Sequence, residues 1–183
     1  MTKPAAPGPD AASARRPFSA FAHRNYRLLW TGLIVSNVGT WMQLASQGWL
    51  IHEITGRATD LGILGLARGV PLIVLSLVGG TIADRVDKRR LLYLTQSVAA
   101  GLAILQGALT HLGWIQVWHI WGLGFLSAAV LAFDQPSRQA MLPHLVPRED
   151  FLSAITLMAL TFNGASVLGP ALAGLLVPVA GYA

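Results

Sequence analysis

Four polar residues in the first long apolar stretch fall on one side of a helix: Ser36, Thr40, Gln43 and Gln47. At 100° per residue they sit at about 0°, 40°, −20° and 20° round the axis, one narrow stripe. Hydroxyls and carboxamides donate and accept hydrogen bonds without carrying charge. The chemistry on offer is therefore non-covalent: lining a polar cavity for a small-molecule substrate, or joining neighbouring helices. Arg68 lies in the next apolar stretch, roughly 10 Å along its axis. A guanidinium at that depth reaches back to the headgroups, pairs with another helix, or meets an anionic or carbonyl-bearing substrate. Hydrolytic and metal chemistry find little material. There is no cysteine, which excludes thiolate ligands and disulfides. The five histidines (His23, His52, His111, His119 and His144) are scattered, and Glu53, Asp84 and Asp134 fall at the ends of apolar stretches rather than within them. No catalytic residue, metal or cofactor is expected.

The elements that carry these residues must lie in a bilayer. The chain has 183 residues, of which 54% are hydrophobic and 11% charged, against roughly 25% charged in a soluble domain. Mean hydropathy is +0.55. Residues 91–133 contain no Asp, Glu, Lys or Arg, and neither do residues 151–183. A soluble helix needs a polar face every turn, and these runs offer none. The pattern predicts an all-α membrane protein with five transmembrane helices over about 28–51, 61–83, 91–110, 117–133 and 152–177, each near the roughly 20 residues that cross a bilayer. Residues 1–17, rich in Ala and Pro, read as a disordered tail without the apolar core of a cleaved signal peptide. Residues 18–183 form the membrane domain.

A net charge of +5 would suit nucleic acid, but its placement does not. With the N-terminus inside, Lys3, Arg15, Arg16, Arg24, Arg27, Arg85, Lys88, Arg89, Arg90, Arg138 and Arg148 all fall on the inner side, which is eleven of the 13 bases. Arg57 alone falls outside, and Arg68 within a span. Such a bias orients helices in a membrane, so the partner is the lipid bilayer, not nucleic acid. Trp49, Trp114 and Trp118 fall near the outer ends, the depth that amphipathic rings prefer. The expected topology is a multi-pass protein of the cell (inner or plasma) membrane with a cytoplasmic N-terminus.

The connection after the second span reads GGTIADRVDKRR, from Gly79 to Arg90. It resembles the loop between helices two and three of the major facilitator superfamily, of the form G-x-x-x-D-R-x-G-R-R/K. Gly80, Asp84, Arg85, Lys88 and Arg89 fit it position by position, and Asp87 stands where the pattern has its second glycine. In the fifth span Gly169, Pro170 and Gly174 resemble the G-P-x-x-G-G motif of superfamily exporters, with Ala165 and Ala173 in place of glycines. The stretch FDQPSRQAMLPHLVPRED before the fifth span is similar to the subgroup of enterobactin-type siderophore exporters and transmembrane secretion effectors. The resemblance covers roughly residues 18–183. It implies that helices one and four line a cavity. It also implies that Asp134, at the inner end of helix four, pairs with Arg85, with Arg138 nearby, in a conformational-switch loop.

The superfamily fold has two six-helix halves with the substrate between them. Five helices are thus expected to be an N-terminal fragment of a secondary-active exporter of a small organic solute, drug- or siderophore-like. Its partner would be the missing C-terminal half, and it is unlikely to transport alone. Two other classes remain at this point: a non-transporting five-helix membrane module that binds a partner, and a membrane-embedded enzyme, which needs a metal the pattern does not provide.

Overall fold

The computed structural model describes residues 18–180, with side chains for 18–76 and 86–176. The 1–17 tail and the side chains of Gly80, Asp84 and Arg85 lie outside the described residues. Five long helices follow in order: α1 (Arg24–Thr55), α2 (Ala58–Arg85), α3 (Lys88–His111), α4 (Val117–Met141) and α5 (Phe151–Ala180), and there is no strand among the described residues. The connections are short. Gly56 (φ 63°) closes α1 by donating its N–H to the His52 carbonyl at 2.8 Å, a left-handed conformation that a side chain would resist. Gly113 (φ 69°) follows α3 in the same way.

Four of these helical regions, Ala58–Ser76, Lys88–His111, Val117–His144 and Arg148–Leu176, are long and apolar enough to cross a membrane. The first helix is long enough at 32 residues but less apolar, because Ser36, Asn37, Thr40, Gln43 and Gln47 interrupt it. The helix that carries the fourth expected span, 117–133, is longer than that span: α4 continues past Asp134 to Met141, with Pro136 inside it. The physical reason is an ion pair one turn apart, Asp134 with Arg138, so the charges that mark a border in the sequence stay inside the helix.

α1 packs along α5, α2 along α4, and α3 along α4. Apolar clusters close the bundle at both ends. At the far end Leu50 and Ile51 of α1 meet Leu64 of α2 and Ile120 of α4, and the Trp121 indole donates to the Asp60 carbonyl at 3.1 Å. At the end carrying the N-terminus, Ala20 and Tyr26 pack on Leu142, Val146, Ala154 and Leu157. The Tyr26 hydroxyl donates to the Ala154 carbonyl at 2.9 Å, and His23 Nε2 lies 2.8 Å from Asp150 Oδ2. The segment before α1 is thereby fastened to the start of α5, and the space between the two clusters is where polar side chains gather.

Candidate functional site

Between the apolar clusters two hydrogen-bonded groups run across the bundle, both anchored on α1 and both completed by α3. In the group nearer the far end, Gln106 of α3 accepts through Oε1 from Gln43 Nε2 (3.0 Å) and Gln47 Nε2 (2.7 Å). Gln47 Oε1 in turn accepts from Arg68 Nη1 of α2 at 2.7 Å. Gln47 has no exposed surface. The aliphatic stem of Arg68 passes over Gly124 of α4: a Cβ there would lie 2.8 Å from Leu64 Cδ1 and 3.4 Å from Arg68 Cγ. Glycine at 124 is what lets α4 come close enough for the guanidinium to reach α1. Of the routes open to Arg68, the structure takes interhelical pairing.

The second group surrounds Asp134, which is 2% exposed. Its Oδ1 accepts from Thr95 Oγ1 and Gln96 Nε2, both at 2.8 Å, and its Oδ2 pairs with Arg138. Arg138 Nη2 donates to Ser36 Oγ at 3.1 Å, and Ser36 donates to Gln96 Oε1 at 2.9 Å. Three of the roughly four acceptor sites of a carboxylate are thus filled by α3 and α4. Asp134 thus lies within α4 rather than at its end. Whether Arg85 takes the remaining site falls outside the described side chains. Thr40, the fourth member of the stripe, donates only to the Ser36 carbonyl of its own helix. Gln96, Gln106, Thr95 and Gly124 escaped the sequence reading. They lie in charge-free stretches and form no stripe of their own.

Beside the second group, a cavity of about 670 Å³ opens between α1, α4 and α5. Asn37, Gln135, Gln139 and Asn163 supply its amides, the Asp134–Arg138 pair forms part of its lining, and Leu33, Met158 and Phe162 are among its apolar walls. Amides and a mutually neutralised ion pair against apolar walls suit an organic solute. Among the described residues no cluster of three or more His, Asp or Glu could hold a metal ion.

The α2–α3 connection explains the acid found where the superfamily pattern has glycine. Asp87 is the N-cap of α3, its Oδ1 accepting from the backbone N–H of Arg89 (2.9 Å) and Arg90 (3.2 Å). Its φ of −58° needs no glycine. Lys88 and Arg89 follow as the first residues of the helix. The backbone N–H of Arg90, then that of Arg89, with both guanidinium charges adding, holds the Asp87 carboxyl below the usual carboxylate range. Lowered in the folded state, this group contributes stability that is full above the unfolded Asp value of about 3.9. That contribution fades as pH falls through the lowered value. Asp87→Asn should keep the cap, while Asp87→Ala should speed hydrogen exchange at the Arg89 and Arg90 amides at neutral pH.

The fifth-helix motif has a geometric basis at one of its glycines. A Cβ at Gly169 would overlap Trp41 Cβ and lie 3.0 Å from Met42 N and 3.1 Å from the Trp41 carbonyl carbon, so the backbones of α1 and α5 meet there. Phe162, about two turns before Gly169 on α5, packs its ring against Trp41, centroids 5.7 Å apart. A Cβ at Gly174 meets nothing within 4 Å.

Comparison with known proteins places this arrangement. Residues 15–183 match the family described as transmembrane secretion effectors. The chain is 33% identical over 146 residues to the staphyloferrin A transporter of Staphylococcus aureus, covering 78% of this chain and 36% of that protein. It is 23% identical over 153 residues to the multidrug efflux pump Tap of Mycolicibacterium fortuitum, covering 81% and 37%. With macrolide efflux protein A of Streptococcus pyogenes it shares 23% over 161 residues, covering 86% and 40%. The chain thus spans little more than a third of the length of the curated relatives it matches. No solved structure matches it. Helices apolar enough to cross a membrane, a polar interior and a family match over all but the first residues lead to one assignment: the chain belongs to the transmembrane secretion effector family of the major facilitator superfamily, and its likeness is to the N-terminal part of such proteins.

Proposed function

We propose that the whole protein is a secondary-active exporter of a small organic solute, drug- or siderophore-like. These five helices would form most of its N-terminal half, with the N-terminus cytoplasmic in the cell membrane. The observation that carries the reading is the amide-lined cavity between α1, α4 and α5, with α5 also bringing Gly169 of the exporter-type motif onto α1. Relatives named for siderophore transport and for efflux support the same direction. On this reading Asn37, Gln135 and Asn163 face the solute. The stripe of Ser36, Gln43 and Gln47, with Arg68, forms the hydrogen-bonded wall behind it, closed by Gln106. Transport requires a second half to rock against this one, so the five helices alone would not export, and the family's role is transport rather than catalysis.

The cytoplasmic side would be latched by Asp84 and Arg85 at the end of α2 acting with Asp134, breaking of which should shift the two states by about 1–3 kcal/mol. Asp84→Asn in the full-length product that leaves export unchanged would remove the latch. For the wall, Gln43→Leu with Gln47→Leu should lower thermal stability by on the order of 1–2 kcal/mol, the scale of interhelical hydrogen bonds in membranes, and leave solute preference intact. Asn37→Leu should do the reverse. A changed preference in the double Gln variant would move the stripe into the solute path.

The first test is the size of the native product in source membranes, detected with an antibody to residues 1–17. A band of at least twice 19.5 kDa supports the exporter. A single stable band at 19.5 kDa would instead favour the five-helix binding module.

A further inference from the structure

Where α1 starts, α3 starts and α4 ends, a groove runs from the surface into the bundle. Its inner part, about 420 Å³, has walls of Leu28, Leu29, Leu33, Leu92, Met141 and Leu145, within the roughly 300–1,000 Å³ of small-ligand sites. Its outer part, about 370 Å³, shares Asn25, Arg89, Met141 and Leu145 with the inner one and adds Lys88 and His144. The two are one channel, apolar inside and basic at the mouth.

The polar groups of this channel divide into occupied and open ones. At the floor Gln96 and Arg138 are held by Asp134 and Ser36, so they offer an incoming ligand little. At the mouth the Asp87 carboxylate is turned to the backbone N–H groups of Arg89 and Arg90. The side chains of Lys88 and Arg89 make no hydrogen bond or ion pair among the described residues. An anionic group at the mouth therefore meets two open cations, and whatever hangs from it meets six aliphatic side chains.

We infer that this groove binds an anionic phospholipid, its phosphate at Lys88 and Arg89 and one acyl chain between α1 and α3. A basic pocket between helices on the positive side of a membrane protein suits an acidic headgroup, each basic side chain near the surface contributing about 1 kcal/mol. A free phosphate would satisfy the mouth and leave the aliphatic walls unfilled, which is why a lipid is the better occupant. The leaflet follows from the proposed orientation, but the site itself does not depend on it.

The test is lipid retention by the full-length product in detergent, read by native mass spectrometry with phosphatidylglycerol and phosphatidylcholine. The expected result is preferential retention of phosphatidylglycerol. Lys88→Ala with Arg89→Ala should weaken that preference about thirty-fold, two side chains at roughly fivefold each. Leu92→Trp, which fills the apolar part and keeps both bases, should also reduce retention. Equal retention of the two lipids, or a preference unchanged by the double variant, overturns the inference. Displacement by glycerol phosphate as effective as by lipid would make the mouth a soluble-phosphate site and overturn it as well. Should the variants fold poorly, a photoreactive phosphatidylglycerol on the wild-type protein must label the Leu28–Leu29 or Leu92 segments. Labelling elsewhere rejects the groove. Orientation is read separately, from the accessibility of a single cysteine placed in residues 1–17, so a reversed topology and an empty groove give different results.

Discussion

Gly169→Ala separates α5 from α1 and is expected to destabilise the protein by about 3 kcal/mol, the upper part of the range for overpacked sites. The atoms in the way are the Trp41 Cβ, the Trp41 carbonyl carbon and the Met42 nitrogen. None of these is the far end of a flexible side chain, so the clash cannot be relieved by a rotamer change. The helices must move apart, loosening the Trp41–Phe162 ring contact and the wall of the amide-lined cavity. Gly174→Ala is the matched control. Its Cβ has open space around it, and alanine is the better helix former by about 0.8–1 kcal/mol. Thermal unfolding of the full-length product in detergent should show a marked loss for the first variant and none for the second. Equal losses would mean that another part of the full-length protein lies against Gly174, and no loss at Gly169 would contradict the close approach.

This pair of glycines marks how far the sequence reaches. Both belong to one motif, and on that ground they look alike, yet only one touches a neighbouring backbone. The difference depends on the rotation of α5 about its own axis, which a run of residues apolar on every side does not encode. The helices themselves were legible, since long charge-free runs leave a chain few other structures in a bilayer. So was the polar stripe, because its members share a helix face. Its partners were not. Gln96 and Gln106 are ten residues apart on α3, about 80° apart around the axis, so no period links them to each other or to α1. The end of α4 was not legible for a related reason. A charge after an apolar run usually marks the water boundary, but a charge with its counterion one turn later can remain inside. Asp87 shows a departure from a motif with its own physical purpose, a cap in place of a permissive glycine.

The ion pair inside α4 gives the other large effect. Among the described residues, Asp134→Leu leaves the Arg138 cation buried with Ser36 as its remaining partner, and Arg138→Met leaves the Asp134 carboxylate with Thr95 and Gln96. Each single change should cost about 3–5 kcal/mol, the scale for stranding one member of a buried pair. The double variant Asp134→Leu with Arg138→Met removes both charges and should recover most of that loss, since apolar replacement of a buried pair is often neutral. Thr95, Gln96 and Ser36 then lose partners, which leaves a residual cost of about 1 kcal/mol for each polar group without a substitute. Unfolding measurements on the four proteins decide this first part: three equal losses, with no recovery in the double variant, would show that the hydrogen bonds of α3 matter more than the charges. Export by the same four proteins decides the second. A double variant that is stable and still exports makes Asp134 and Arg138 a fastening between α1, α3 and α4. One that is stable and no longer exports makes the buried ion pair part of the export machinery, because stability has been restored and only the two charges are missing.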